Sequence, residues 1–176
     1  MISFRLALNN RSVNGDIDWK YLPNWAEELP DQADMYRLRA NLYQCKELPS
    51  ADDDGTSDPF IEVWSPDDQS YTTDIIENNN NPIFFKVIEI PYYTISLDYA
   101  PPIVLNIFDR DTAIMDSDDF MGRAVIHFDK RRMGGPEDEP PVPTWEDVRM
   151  GFDPSEKPMG KVLVSFNLCS PNQEFS

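Results

Sequence analysis

The sequence has few of the residues from which disulfide frameworks and zinc–sulfur sites are built. It contains two cysteines, Cys45 and Cys169, and one histidine, His127, among 176 residues. Two thiols cannot form a disulfide framework or a four-sulfur zinc site, and we expect both to be buried and reduced. The histidine lies in a strand-like pattern, where we expect it to have a structural role.

Catalytic motifs are also missing. The sequence contains no glycine-rich phosphate loop, no nucleophile elbow and no cysteine–histidine pair. Aspartate clusters occur in metal-dependent hydrolases, but such enzymes need a cleft and usually a base outside the ligand set, which the sequence does not show. We therefore expect that the protein is not an enzyme.

Basic residues and long apolar runs are scarce too. The chain has 15 Lys and Arg against 32 Asp and Glu, a net charge of -17. Nothing offers a basic face to neutralise the phosphates of nucleic acid, and the charge opposes unaided docking on an anionic membrane. No apolar run approaches the ~20 residues that span a bilayer, and the N-terminal residues do not resemble a signal peptide. We expect a cytoplasmic protein.

What the sequence does contain is a series of short runs with strand character. Apolar and polar residues alternate in them, as at Leu38, Ala40 and Leu42 against Arg37 and Arg39. The runs are 36–45, 59–64, 70–76, 84–90, 103–108, 122–128 and 160–168, with 2–8 as a candidate eighth. The 16 prolines interrupt most helical windows. The pattern predicts an all-β protein, an antiparallel eight-stranded β-sandwich.

The rest of the chain divides around this sandwich. Residues 1–34 read as an irregular extension packed on the domain, with 2–8 as its candidate strand. The sandwich itself is expected over 35–170. Within it, 133–159 is rich in proline and acidic residues and reads as a long connector before the last strand.

Aspartates concentrate in two segments, SADDDGTSDPF (50–60) and FDRDTAIMDSDDF (108–120). Each segment follows a predicted strand, and loops after alternate strands gather at one end of a sandwich. Two carboxylates about 4 Å apart repel by roughly 4 kcal/mol at an effective dielectric near 20. A converging cluster of oxygen ligands is what Ca²⁺ requires, whereas an EF-hand fails because Ile61 would be its bidentate ligand. The alternative is two separate solvated loops.

Four motifs in order resemble the C2 domain, the calcium- and phospholipid-binding β-sandwich of Greek-key topology. They are LPSADDDGTSDPFIEV, NNPIF, IFDRD and DDFMGRAVI, and over about residues 35–169 the chain is most similar to an internal C2 domain of the ferlin family. The resemblance implies five calcium ligands: Asp52, Asp58, Asp109, Asp111 and Asp119. Because Asp111 and Asp119 are about two residues further apart than is usual in the family, Asp118 or Asp116 could substitute. Asp53 and Asp54 are expected to supply only outer charge.

The resemblance also implies a function. The implied function is calcium-dependent binding of anionic phospholipid, with two or three bound Ca²⁺. The domain would be a peripheral protein on the cytosolic face of membranes and would act in vesicle trafficking or membrane fusion. Ile114 and Met115 would contact the membrane from the tip of the second acidic loop. The basic run of Lys130, Arg131 and Arg132 would contact headgroups or form a solvated corner, since 70–76 lacks the lysines common in the family.

A second interpretation remains open. The domain could be a C2-fold interaction module or scaffold subunit of a larger assembly, with weak calcium binding or none. The altered ligand spacing, the missing lysines and the very acidic composition favour it. The sequence leaves open whether the chain is a fragment of a longer multi-C2 protein or a complete subunit.

Overall fold

In the computed structural model of the protein, the described residues form eight β-strands. They are β1 (Asp34–Lys46), β2 (Pro59–Val63), β3 (Ile83–Thr94), β4 (Ile103–Asp109), β5 (Asp119–Ile126), β6 (Met133–Gly134), β7 (Thr144–Val148) and β8 (Gly160–Cys169). The structure describes residues 34–50, 56–65, 67, 69–94, 97, 100–111, 117–129, 133–134 and 141–170. All of these lie in one compact unit, Gln32–Ser176.

The strands are arranged in two sheets. In the larger sheet the order is β3–β1–β8, and both β6 and β7 pair with the remaining side of β8. The smaller sheet has the order β2–β4–β5. Every pairing between these strands is antiparallel except the short one between β6 and β8. The predicted all-β sandwich is therefore confirmed.

Alternating apolar residues place the core between the sheets. On β1, Leu38, Ala40 and Leu42 are fully or almost fully buried, and β4 contributes every second residue from Ile103 onward. Burying such side chains contributes about 1.5–3 kcal/mol each. Cys45 and Cys169 are both buried and free, as predicted, and burial raises the pKa of the Cys45 thiol.

Two sequence predictions about strands need correction. The segment 70–76 is not a regular strand, because only Thr72 forms a bridge, to Glu62. The hydroxyl of Thr73 accepts the Ile61 amide at 2.9 Å, so a side chain takes a donor that a regular ladder would pair with a backbone carbonyl. Two strands, β6 and β7, lie within 133–159, where the sequence predicts a connector.

Some predictions fall on other parts of the chain. The candidate strand 2–8 lies outside the described residues, as does nearly all of the predicted extension 1–34. His127 comes directly after β5 and is exposed, so it does not belong to the strand that the sequence predicts over 122–128.

A β-bulge shapes the start of β5. Ile107 pairs with Gly122 and Phe108 pairs with Phe120, so Met121 is an extra residue in β5. Gly122 has a φ of 138°, a conformation that L side chains rarely adopt. A bulge inverts the alternation of the strand beyond it. As a result Asp119 lies directly opposite Asp109.

A second bulge lies in β3, where Phe84 and Phe85 occupy the space opposite Tyr43 alone. Phe85 has a φ of 44°, unusual for a bulky residue, and the residue is 75% exposed. Ile83 and Val87 are exposed beside it. The outer side of β3 therefore presents apolar side chains to solvent.

A small ionic cluster joins β7 to β8. Asp147 accepts hydrogen bonds from Lys161 and from Arg149, the latter at 2.7 Å. The bond from Lys161 and the neighbouring Arg149 lower the pKa of the Asp147 carboxyl below its ordinary 3.8. Asp147 and Lys161 are cross-strand partners, so the ion pair reinforces the backbone pairing.

We expect the Asp147 cluster to stabilise the fold most when the carboxylate is charged. A lowered folded-state pKa adds stability that is present above the ordinary pKa and lost as the pH falls through the folded value. Asp147→Asn should lower the free energy of unfolding by roughly 0.5–1.5 kcal/mol near neutral pH, and the difference should shrink as the pH falls below 3.8. Urea denaturation at several pH values measures this. Asp74→Asn, at an exposed carboxylate that pairs with Lys86, is the control, and an equal loss there would contradict the expectation.

Because Gly122 lies in the bulge, we expect that its replacement by a larger residue destabilises the fold. A Cβ there would lie 2.8 Å from Val148 Cγ1 and 3.0 Å from the Arg149 carbonyl oxygen, in addition to the positive φ. Gly122→Ala should cost about 1–3 kcal/mol of unfolding free energy, measured by thermal and urea denaturation. At Gly151 the nearest atoms belong to the flexible Glu156 side chain. Gly151→Ala should thus change stability little, and similar losses for both variants would refute the argument.

Candidate cation site at the acidic end of the sandwich

Three aspartates lie side by side where three neighbouring strands begin or end. Asp109 ends β4, and it pairs with Pro59 of β2 on one side and with Asp119 of β5 on the other. Asp58 directly precedes Pro59. Directly opposite residues of an antiparallel pair point to the same side of a sheet. Asp109 and Asp119 therefore share one side, and the backbone amide of Asp58 donates a hydrogen bond to the Asp109 carboxylate. Asp58, Asp109 and Asp119 thus lie together at one end of the smaller sheet, which we call the acidic end.

Asp109 occupies a core-facing position. It continues the inward row of Ile103, Leu105 and Ile107, and it is 2% exposed. Its Oδ1 accepts a hydrogen bond from the backbone amide of Asp58, and the Asp58 carbonyl accepts one from the Arg110 amide at 3.1 Å. This reciprocal bonding fixes the end of the first acidic loop against the end of β4.

An aromatic row lies one residue behind the acids, on the opposite side of the sheet. Phe60 stacks on Phe108 with ring centroids 5.5 Å apart, and Phe108 meets Phe120 edge to face at 5.6 Å. These residues pair across β2, β4 and β5. Such contacts add about 0.5–1.5 kcal/mol per pair beyond area burial, so they stabilise the register that aligns the aspartates.

The loop 77–82, which we call the asparagine loop, supports the site from the other side. The backbone N–H of Asn78 donates a hydrogen bond to Asp58 Oδ1 at 2.7 Å. Asn78 has a φ of 53°, which asparagine tolerates better than most residues. Further along, Asn81 Oδ1 accepts the Glu47 amide at 2.9 Å, and the Asn80 carbonyl accepts the Leu48 amide at 3.1 Å. The loop therefore holds both flanks of the first acidic segment.

Asp118 is engaged differently from its neighbours. Its Oδ1 lies 3.5 Å from Arg110 Nε and accepts the Asp111 amide at 3.3 Å. The Arg110 guanidinium also lies over the Phe60 ring, 5.7 Å from its centroid. The Asp119 carboxylate, by contrast, is exposed and makes no hydrogen bond or ion pair with the described part of the chain. One internal cation therefore offsets part of the charge at the acidic end.

The donor chemistry fits a hard divalent cation. The side chains gathered here are carboxylates, with no histidine or thiol ligand, and oxygen-only sets favour Ca²⁺ over zinc. Asp58 uses Oδ1 for Asn78, and its Oδ2 has no partner among the described residues. Within the described ranges, however, no three acidic, histidine or cysteine side chains are close enough to hold a metal by themselves. The described residues thus supply part of a ligand set.

Several predicted site residues lie outside the described residues. They are the ligand Asp52, the substitute Asp116, the membrane-contacting Ile114 and Met115, and the basic run Lys130, Arg131 and Arg132. Asp111 is described at the end of the segment after β4. The structure therefore brings together Asp58, Asp109 and Asp119. Asp118 lies beside this group and is paired with Arg110.

Sequence reasoning missed two functional features of the acidic end. One is the asparagine loop, whose four consecutive asparagines beside an acidic segment are a signal of side-chain hydrogen bonding. Arg110 stands between Asp109 and Asp111 in the sequence, a position that indicates a built-in counter-charge. Along the described parts of the chain, no helix has the length and apolar character needed to cross a membrane.

Comparison with known proteins agrees with this architecture. The chain is 31% identical to mouse myoferlin over 152 residues, which are 83% of this chain and 7% of myoferlin. A solved C2 domain of plant extended synaptotagmin 1 covers 82% of this chain, and all of that domain, with a TM-score of 0.59 and 17% identity. A calcium-bound structure of two C2 domains of extended synaptotagmin 2 has a TM-score of 0.55 and 21% identity, covering 79% of this chain and 46% of that one.

The similarity to these solved structures shows the fold. The chain spans less than a tenth of the length of myoferlin. The family model described as C2 domain matches residues 36–148. Those residues include the whole acidic end and nearly all of strands β1 to β7. The predicted resemblance is confirmed, and the chain belongs to the C2 domain family.

Proposed function

We propose that this C2 domain binds phospholipid membranes in a calcium-dependent way and acts, like a ferlin domain, in vesicle trafficking or membrane fusion. The observation that carries the proposal is the row of Asp58, Asp109 and Asp119 on adjacent strand ends. A fold gains nothing from gathering like charges there, since carboxylates on neighbouring strand ends repel one another. A bound divalent cation would turn this repulsion between the carboxylates into a net attraction to the metal.

The proposed ligands are those that the family resemblance implies. Asp52 and Asp58 would bind from the first loop, and Asp109, Asp111 and Asp119 from the second, with Asp118 or Asp116 as substitutes. Bound Ca²⁺, two or three ions, would neutralise the acidic end and allow phosphate oxygens of the lipid to approach. The calcium-bound extended synaptotagmin 2 structure supports this proposal by similarity of fold.

Membrane contact would be completed by residues near the same end. Ile114 and Met115, in the second acidic loop, would enter the boundary between headgroups and acyl chains, contributing roughly 1.5–3 kcal/mol each if fully buried. Lys130, Arg131 and Arg132 would approach anionic headgroups. The proposed location is the cytoplasm, peripheral on the cytosolic face of membranes.

Calcium titration and vesicle sedimentation test the proposal. The parent chain should bind Ca²⁺ by calorimetry and co-sediment with phosphatidylcholine–phosphatidylserine vesicles only when calcium is present. At a calcium concentration near 100 times Kd, unfolding free energy should rise by about 2.7 kcal/mol. Asp58→Asn and Asp109→Asn should abolish all three effects because each removes a charged ligand.

The control for that experiment is Asp67→Asn. Asp67 bonds to Tyr71 and follows β2, at the end of the strand remote from Pro59. That variant should retain calcium and vesicle binding. Calcium-independent sedimentation of the parent chain, or no calcium binding at all, would refute the proposal.

A second function is favoured by one observation at the acidic end. Arg110 and the Asp111 amide already engage Asp118, which lowers the need for a bound cation there. This arrangement suits a C2-fold interaction module or scaffold subunit whose acids bind calcium weakly or not at all.

Substitution of Arg110 separates the two functions. Arg110→Gln removes a positive charge beside the carboxylates and releases Asp118, so a calcium-binding domain should bind Ca²⁺ about three- to tenfold more tightly. A scaffold domain should bind calcium weakly or not at all in either form. Calorimetry measures the change, and Arg39→Gln, which removes an arginine paired with Glu89 on the larger sheet, should leave the affinity unchanged. Weaker binding by Arg110→Gln would show that Arg110 supports the site.

A further inference from the structure

The other end of the sandwich contains an apolar cavity that the acidic end does not involve. Its volume is about 270 Å³, and its lining includes Trp64, Pro91, Tyr93, Pro101 and Pro102. Trp64 and Tyr93 are 50% and 40% exposed, so the cavity opens at a surface of aromatic rings and prolines. Soluble domains seldom expose such groups together without a binding role.

The polar groups at the cavity are donors. Tyr92, which also lines it, already donates its hydroxyl to the Pro101 carbonyl, and burial raises its pKa to about 12. The Trp64 indole N–H and the Tyr93 hydroxyl make no hydrogen bond within the described part of the chain. Among the described residues that line the cavity, none has a carboxylate or amide side chain. A complementary ligand therefore presents apolar surface and hydrogen-bond acceptors.

We propose that this cavity binds a proline-rich peptide in the polyproline II conformation. Proline has no N–H, so such a peptide offers carbonyl acceptors and ring surface without donors that need partners. Grooves lined by aromatic residues bind such segments because the helix is preformed and loses little entropy. An ordinary extended strand would bring unpaired N–H groups, and an acyl chain would leave both donors unused.

Charge indicates the source of the peptide. The chain has a net charge of -17, so it repels acidic ligands and favours neutral or basic ones. Its own proline-rich stretch, PEDEPPVP (136–143), carries three acidic residues, which disfavours a second copy of this chain as the occupant. The partner is a neutral or basic proline-rich segment of another protein.

The position of the cavity makes it independent of the acidic end. Ile103, the first residue of β4, lines the cavity, whereas Asp109 ends the same strand. Seven strand residues separate the two ends by about 20 Å. Peptide binding therefore needs neither calcium nor a membrane, and it can be tested with both absent.

Fluorescence anisotropy of labelled decaproline with one terminal arginine, measured in EDTA, tests the proposal. We expect saturable binding that is weakened about three- to tenfold by Trp64→Phe or by Tyr93→Phe, since each removes one donor. Trp145→Phe and Tyr43→Phe, at aromatic residues that do not line the cavity, are the matched controls and should bind like the parent. Melting curves check that every variant is folded.

Four results would overturn the proposal. Absence of saturable binding up to about 1 mM, or equal loss in the control variants, would exclude this cavity as a peptide site. Displacement of the peptide by monomeric dihexanoyl phosphatidylcholine, with the same dependence on Trp64, would assign the cavity to acyl chains. Self-association of the parent chain in sedimentation, abolished by Trp64→Phe, would identify a second copy as the occupant. Success or failure of calcium binding changes none of these outcomes.

Discussion

The hydrogen bond between the Asp58 amide and the Asp109 carboxylate is the interaction on which the acidic end depends. Asp109 stands at the last core-facing position of β4, where its neighbours in the row are isoleucine and leucine. A buried carboxylate is tolerated only when it is paired or hydrogen-bonded. Satisfying Asp109 therefore requires the chain before β2 to arrive at this point, which determines where the first acidic loop closes and where β2 begins.

Two supports keep that bond in place from opposite sides. The stacked rings of Phe60, Phe108 and Phe120 secure the alignment of β2, β4 and β5 on the outer side. The asparagine loop bonds to Asp58 and to the backbone after β1. Functional side chains held by such surrounding contacts keep their geometry better than side chains on unsupported loops. The three aspartates Asp58, Asp109 and Asp119 are thus held at or beside the ends of paired strands.

Much of this could be predicted from the sequence because its signals are local. The alternation of apolar and polar residues predicted six of the strands with ends within a few residues of those observed. The aspartates that follow two of these strands predicted a shared acidic end. The rest depends on non-local pairing. Whether Asp119 or Asp118 faces Asp109 is decided by the extra residue at Met121, and no local pattern reveals a bulge. Likewise, β7 pairs with β8 so that Asp147 meets Lys161 across the two strands, a pairing between distant segments that the proline-rich surroundings of β7 conceal.

The irregular outer strand of the larger sheet has a consequence for solubility. Among the described strands, β3 has a partner on one side only, and an open strand edge flanked by exposed Phe85 and Val87 is a template for aggregation. Two features interrupt it: the bulge at Phe84 and Phe85 bends the edge, and Pro91 removes an amide donor. Strain at Phe85 can thus be understood as protection, since a straighter and flatter β3 would recruit other chains into intermolecular sheets.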